Sequence, residues 1–201
     1  ALDGLSLSGD RFFYDNPLAS NGQHQRREWF GTACCPANIA RLVASVGDYI
    51  YGTSDNGLWV NLFVSSSAKT SVGKTDVAVS LKSNYPWEGD GKLEVNPASK
   101  IRFAIHLRVP GWLSTDAALG GLYSYSDSKE RAPFISVNAK PFSYKMESGY
   151  AVIEREWKQG DVVAWSFLLE TRRIVARSEV RMNQDRVALQ RGPLVYCMEG
   201  A

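Results

Sequence analysis

The sequence predicts a mainly β protein, an antiparallel β-sandwich of jelly-roll type preceded by a short helical segment. Three observations predict it. The apolar period changes from helical to two near Tyr49. Residues 101–108 alternate cleanly, with Ile101, Phe103, Ile105 and Leu107 on one face and Arg102, Ala104, His106 and Arg108 on the other. Short apolar runs then recur between Gly, Pro and Asn-Gly punctuation, the habit of sandwiches and jelly rolls.

Taken in order, residues 1–30 are polar and irregular, with a turn signal at Asn16-Pro17 and a charged run, Gln23-His24-Gln25-Arg26-Arg27-Glu28, closed by Trp29-Phe30. One helix follows, expected over about 36–46. Pro36 suits a first helical position, where its missing N–H is not needed. Ile39, Leu42, Val43 and Val46 fall at i, i+3, i+4, i+7, an apolar stripe that implies packing of one face, and Gly47 is a stop. Asp55-Asn56-Gly57 then reads as a hairpin turn between strands near Ile50-Tyr51 and Leu58–Val64. Residues 65–74, rich in Ser, Lys and Thr, read as a mobile loop, and 113–131 as a long surface loop. Further strands are expected around 77–81 and at 101–108, 134–138, 150–156, 161–169, 173–182, 186–190 and 194–198. No internal repeat is present. Both ends read as abrupt: the first 50 residues hold one confident helix, and the apolar run Leu194–Met198 meets the terminus without a cap. A segment of a larger protein is therefore expected.

Composition removes several classes of function. The 201 residues carry 23 Lys and Arg against 21 Asp and Glu, a net charge of +2, so no basic face argues for nucleic acid. No apolar run approaches the ~18 residues of a membrane span. No leader is visible at the start, which leaves the compartment open between cytoplasm and periplasm. Three cysteines are too few for a disulfide scaffold. Aromatic residues are abundant, which suits β cores and sugar-stacking surfaces alike.

Chemistry concentrates at Cys34-Cys35. Neighbouring cysteines close only a strained disulfide ring, so another role is expected. At a helix N-terminus, unpaired N–H groups and the positive end of the macrodipole favour thiolate. Thiolate is both nucleophile and metal ligand, so nucleophilic chemistry and ligation of a soft metal such as zinc remain alternatives, beside redox sensing, chance, and the plainer reading of two small buried apolar side chains. Zinc needs three or four ligands. His24, ten residues before Cys34, is a candidate third, and Cys197 with Glu199 is a distant thiol–carboxylate pair. The surrounding spacing matches no standard zinc motif.

The motifs nevertheless line up with a known family. Phe12-Phe13-Tyr14-Asp15-Asn16-Pro17-Leu18, Trp29-Phe30 and Ala33-Cys34-Cys35-Pro36-Ala37-Asn38-Ile39-Ala40-Arg41-Leu42 resemble the bacterial β-L-arabinofuranosidase family, glycoside hydrolase family 127 and its relatives. Tyr85-Pro86-Trp87-Glu88-Gly89, Arg108-Val109-Pro110-Gly111-Trp112 and Arg186–Tyr196 continue the resemblance in order across nearly the whole chain. It implies that residues 1–50 close a catalytic (α/α)6 barrel, that 51–170 form a β-sandwich, and that 171–201 are closing strands or the start of a second sandwich. It also implies roles: Cys34 as catalytic nucleophile, Cys34 and Cys35 as zinc ligands, and zinc as cofactor. His24 is assigned to the sugar pocket. The implied partners are an L-arabinofuranosyl or related carbohydrate and the upstream barrel, with neither nucleic acid nor membrane. The family's Glu-x-Cys zinc ligands and its glutamate acid/base lie upstream of the matching residues, and Cys197 and Glu199 do not replace them. This chain alone is therefore expected to be inactive and to bind zinc weakly. The alternative is a carbohydrate-binding or structural sandwich, with Tyr85, Trp87 and Trp112 as a stacking platform.

Overall fold

From Leu58 to Phe167, strand after strand turns alternate side chains onto one shared core, and that alternation builds a two-sheet sandwich. The computed structural model describes residues 4–15, 22–32, 34–115, 117, 120–127 and 129–196. Asn16-Pro17, Ala33 and Cys197 lie outside these. The chain divides into two units, the described residues up to Gly47 and those from Asp48 onward.

In the first unit, Leu5 bridges Phe12 and Phe12 bridges Arg27. Helix α1 covers Cys34–Ser45, so it begins two residues before the expected start. Pro36 is then in the first turn, where no intrahelical N–H is required. A 3₁₀ turn, Val46–Tyr49, follows. The apolar stripe does not pack as the sequence predicts. No residue of α1 is buried, and Leu42 and Val43 are 56% and 65% exposed. Among the described residues nothing covers the stripe.

The second unit is β. Its strands are β1 (Tyr51–Thr53), β2 (Gly57–Val60), β3 (Ser66–Val72), β4 (Thr75–Ser83), β5 (Asp90–Pro97), β6 (Ile101–Arg108), β7 (Tyr123–Tyr125), β8 (Phe134–Val137), β9 (Lys140–Pro141), β10 (Lys145–Glu147), β11 (Tyr150–Trp157), β12 (Asp161–Ser166), β13 (Thr171–Ala176), β14 (Val187–Arg191) and β15 (Leu194–Tyr196). One sheet runs β1-β2-β6-β11-β10, a second β3-β4-β5-β12-β8-β9, and a third β15-β14-β13-β7. The predicted Asp55-Asn56-Gly57 hairpin is present, with Tyr51 opposite Val60. The β2–β6 pair is parallel, the exception to antiparallel pairing.

Facing sides of the first two sheets form one core. β6 and β11 bury Phe103, Ile105, Leu107, Ile153 and Trp157, and β4, β5 and β12 bury Val79, Leu81, Leu93, Val95 and Trp165. The Trp157 indole N–H donates to the Phe103 carbonyl at 3.0 Å, so this buried ring leaves no polar atom unpaired. Gly91 stands opposite Trp165, and a Cβ there would strike the indole.

Three sequence expectations need correction. Residues 66–72 form an edge strand rather than a mobile loop. The two-residue turn Gly73-Lys74 closes its hairpin with β4, and Gly73 adopts φ +58°. Its outward Ser67, Lys69 and Ser71 hid the strand, because edge strands carry polar residues. The 113–131 segment contains β7, paired with β13. The strand expected over 173–182 ends at Ala176, and a 3₁₀ turn, Arg181–Asn183, follows. β5, β9 and β10 escaped the sequence reading. No helix among the described residues is long and apolar enough to cross a membrane.

A buried cation fastens the 113–131 segment to β13. Arg172 is 4% exposed and donates to the carbonyls of Trp112, Ser114 and Lys129 and, at 2.7 Å, to the Asp127 carboxylate. It also lies over the Tyr125 ring, 3.3 Å from the centroid. Arg131 bridges Asp127 and Glu170.

Candidate active site

The segments around Phe12 and Phe30 are drawn together by aromatic packing, and that packing sets a phenol against the thiol pair. Phe12 meets Trp29 and Phe30 edge-on, at ring-centroid distances of 6.2 and 5.1 Å, and Tyr14 packs on Phe30 at 5.3 Å. Alternation turns Phe13 the other way. It stacks on His24 at 4.9 Å, and the Arg26 guanidinium lies 4.4 Å from the centre of its ring. Tyr14 is thereby fixed with its hydroxyl 2.9 Å from Cys34 Sγ.

Both thiols are free, exposed and in the first turn of α1, with their sulfurs 3.7 Å apart. The buried-apolar reading of the pair therefore fails among the described residues. The Asn38 side-chain amide donates to the Cys34 carbonyl at 2.6 Å, and Arg41 donates to Asn38, which ties the first turn to the second.

The Cys34 thiol is held below its usual range. The Tyr14 hydroxyl is the first cause and Cys35 the second; slight desolvation opposes them, and the backbone N–H groups of Cys35 and Cys34 add to the lowering. Tyr14 is pushed well above the usual phenol range by its hydrogen bonds to Cys34 and Cys35. The opposite shifts favour the phenol as donor and the sulfur as acceptor, and they favour the thiolate form of Cys34 relative to a free thiol. Sequence reasoning expected helix N–H groups to favour the thiolate. In the structure a tyrosine twenty positions away adds a side-chain hydrogen bond to the same sulfur. Tyr14 sits inside a quoted motif, but nothing in its spacing marks it as a partner of Cys34.

The pair fits half of a zinc site. Two thiolates on one tetrahedral zinc, with Zn–S of about 2.3 Å, stand about 3.8 Å apart. The observed 3.7 Å suits that without rearrangement. Among the described residues no third His, Cys, Asp or Glu joins them. Among the described residues His24 does not join the pair in a metal-binding group. Its Nε2 lies 3.1 Å from the Asp15 carbonyl oxygen and 3.5 Å from the Asp15 carboxylate.

The three aromatics of the proposed platform separate. Trp112 donates its indole N–H to the Tyr85 hydroxyl at 3.1 Å, and both rings pack against the sandwich core. They brace turns. Trp87 remains exposed.

Comparison with known proteins places this geometry in context. Residues 1–48 match the model described as "Beta-L-arabinofuranosidase, GH127 catalytic domain", residues 57–169 the GH127 middle domain, and residues 171–201 the family 127 C-terminal domain. A non-reducing end β-L-arabinofuranosidase of Bifidobacterium longum subsp. longum is 35% identical over 217 residues, covering 99% of this chain and 30% of the relative. A solved GH127 β-arabinofuranosidase superposes with a TM-score of 0.87 at 39% identity, covering 96% of this chain and 30% of the other. A GH127 β-L-arabinofuranosidase from Geobacillus stearothermophilus T6 gives 0.81 at 36% identity, with the same coverage. The chain spans about 30% of the length of these relatives.

Proposed function

We propose, on the footing that this chain belongs to glycoside hydrolase family 127, that it carries the nucleophilic thiol and the adjoining sandwich of a retaining β-L-arabinofuranosidase. The observation that supports this most directly is the Tyr14–Cys34 hydrogen bond beside a second thiol at zinc-ligand spacing. Named relatives act as β-L-arabinofuranosidases, which supplies the substrate class: an L-arabinofuranosyl group at a non-reducing end.

Cys34 and Cys35 would hold a zinc ion together with ligands from outside this chain; zinc there favours the thiolate form of sulfur. The Cys34 thiolate attacks the anomeric carbon. The C–S bond forms as the glycosidic C–O bond breaks, and the leaving oxygen takes a proton from an acid supplied by the upstream barrel. Water then attacks the same carbon and gives a proton to that acid's conjugate base, the C–S bond breaks, and the thiolate returns. Two inversions give retention. Tyr14 steadies the sulfur through its O–H, and helix α1 keeps Cys34 facing solvent. His24, fixed by Phe13, would line the sugar pocket.

The corresponding organisation is 1–50 as the end of the barrel, 51–170 as the sandwich and 171–201 as closing strands or the start of a second sandwich. General acid help contributes ~10²–10⁴-fold in rate and the barrel walls supply the substrate pocket, so the 201-residue chain by itself is expected to be inactive. In a polypeptide that joins it to an upstream barrel, Cys34→Ser abolishes turnover, and Cys35→Ser loses zinc by elemental analysis. Full activity in Cys34→Ser refutes the nucleophile assignment.

A further inference from the structure

The outer face of the six-stranded sheet carries a site that the thiol chemistry does not use. A groove of about 510 Å³ opens there, within the size range of small-ligand sites. Strand register explains its shape. Lys82 pairs with Lys92, Lys92 with Ala164, and Ala164 with Ser136, so these four form one row across β4, β5, β12 and β8. Asp90, Ser166 and Phe134 form the next row. The small side chains of Ala164 and Ser166 make a low floor. The lysines and Asp90 rise on one side and Phe134 on the other.

Three features of this groove bear on what it could hold. Phe134 is 57% exposed at the start of β8, where it pairs with Ser166 of β12. Ser136 is only 8% exposed and lines the groove beside Ala164. Lys82 and Lys92 stand directly opposite each other, an unfavourable pairing of like charges, and neither forms an ion pair among the described residues.

We propose that this groove binds a neutral oligosaccharide, one sugar face against the Phe134 ring and its hydroxyls exchanging hydrogen bonds with Ser136, Lys92 and Asp90. A sugar ring offers what the groove asks for. Its C–H face buries apolar area on the ring. Its hydroxyls both donate and accept, which suits ammonium donors beside carboxylate acceptors. Lys82 and Lys92 are balanced at the groove by Asp90 and Glu88, so the site carries no net charge that would favour a phosphate or a nucleic acid. The site is independent of Cys34; only the choice of arabinose as probe rests on the proposed function.

The test is a titration of the 201-residue chain with arabinotriose, followed in ¹H–¹⁵N spectra. The expected result is saturable shifts at Phe134, Ser136 and Lys92. Phe134→Ala weakens binding by about tenfold or more, Ser136→Ala by a few-fold, and Cys34→Ser leaves it unchanged. Absence of saturable shifts overturns the proposal, as do shifts that persist in Phe134→Ala. Tighter binding of trigalacturonate than of arabinotriose overturns it too, since the lysine pair would then be an anion site. Loss of the Cys34 chemistry with groove binding intact separates this inference from the catalytic reading.

Discussion

The two units hold their apolar residues in opposite ways. From Leu58 to Phe167 the sandwich closes over its own core, and residues such as Leu58, Ile105, Ile153 and Trp157 have no exposed surface. Helix α1 carries as regular an apolar pattern and buries none of it. Periodicity in a sequence thus says which face wants cover, and not where the cover comes from. The sandwich finds its partner face within 110 residues. The thiol-bearing helix displays an apolar face that no described residue buries.

The strongest way to break that contrast is to hollow the sandwich. Trp157→Ala removes a ring with no exposed surface that packs 5.9 Å from Phe103 and takes away the indole donor of the Phe103 carbonyl. The expected cost is about 3–5 kcal/mol, read by denaturant unfolding of the chain. A cost below about 1 kcal/mol would mean that the sandwich core is not what holds the second unit together.

A smaller effect is expected at the Arg172 anchor, where a charge pair fastens loop to strand. Arg172 and then Arg131 hold the Asp127 carboxyl at about 2, below the ordinary carboxylate range. A depressed folded-state pKa stabilises the fold above the unfolded value, about 3.9, and that stabilisation disappears as pH falls through about 2. Asp127→Asn should therefore lower the melting temperature by a few degrees at pH 7. Variant and parent should converge as pH approaches about 2. Equal melting at pH 7 would show that the carbonyls of Trp112, Ser114 and Lys129 hold Arg172 without help.

What was legible follows from the same physics. Alternation at 101–108 and the Asn-Gly turn are local signals, and the structure has both. Strand β3 was hidden because an edge strand's outward residues are polar by necessity, which makes Ser66–Val72 look like a loop. β7 was hidden because three residues, Tyr123–Tyr125, carry too little pattern; pairing with β13 defines them. At the candidate site, Cys34 and Cys35 stood out by adjacency and by family resemblance. Tyr14 did not, because only the packing of Phe12, Tyr14 and Phe30 brings its hydroxyl to the sulfur. The groove around Ser136 gave no signal at all, since its row is assembled from four strands spread over 83 residues, Lys82 to Ala164.

The smallest expected effect is the one that sharpens the comparison most. Leu42→Gln with Val43→Gln replaces two exposed apolar side chains on α1, and glutamine has nearly leucine's helix propensity. If the stripe is bare in this chain, the double substitution changes its stability by less than about 0.5 kcal/mol. The same change in a polypeptide that covers the helix would remove buried side chains and place amides against apolar neighbours, a loss of several kcal/mol. Hydrogen exchange gives a second view, with fast exchange expected across Cys34–Ser45 and slow exchange in β6 and β11. A marked destabilisation of the 201-residue chain by the double substitution would show that the stripe is covered in solution, and the contrast between the units would then be one of degree.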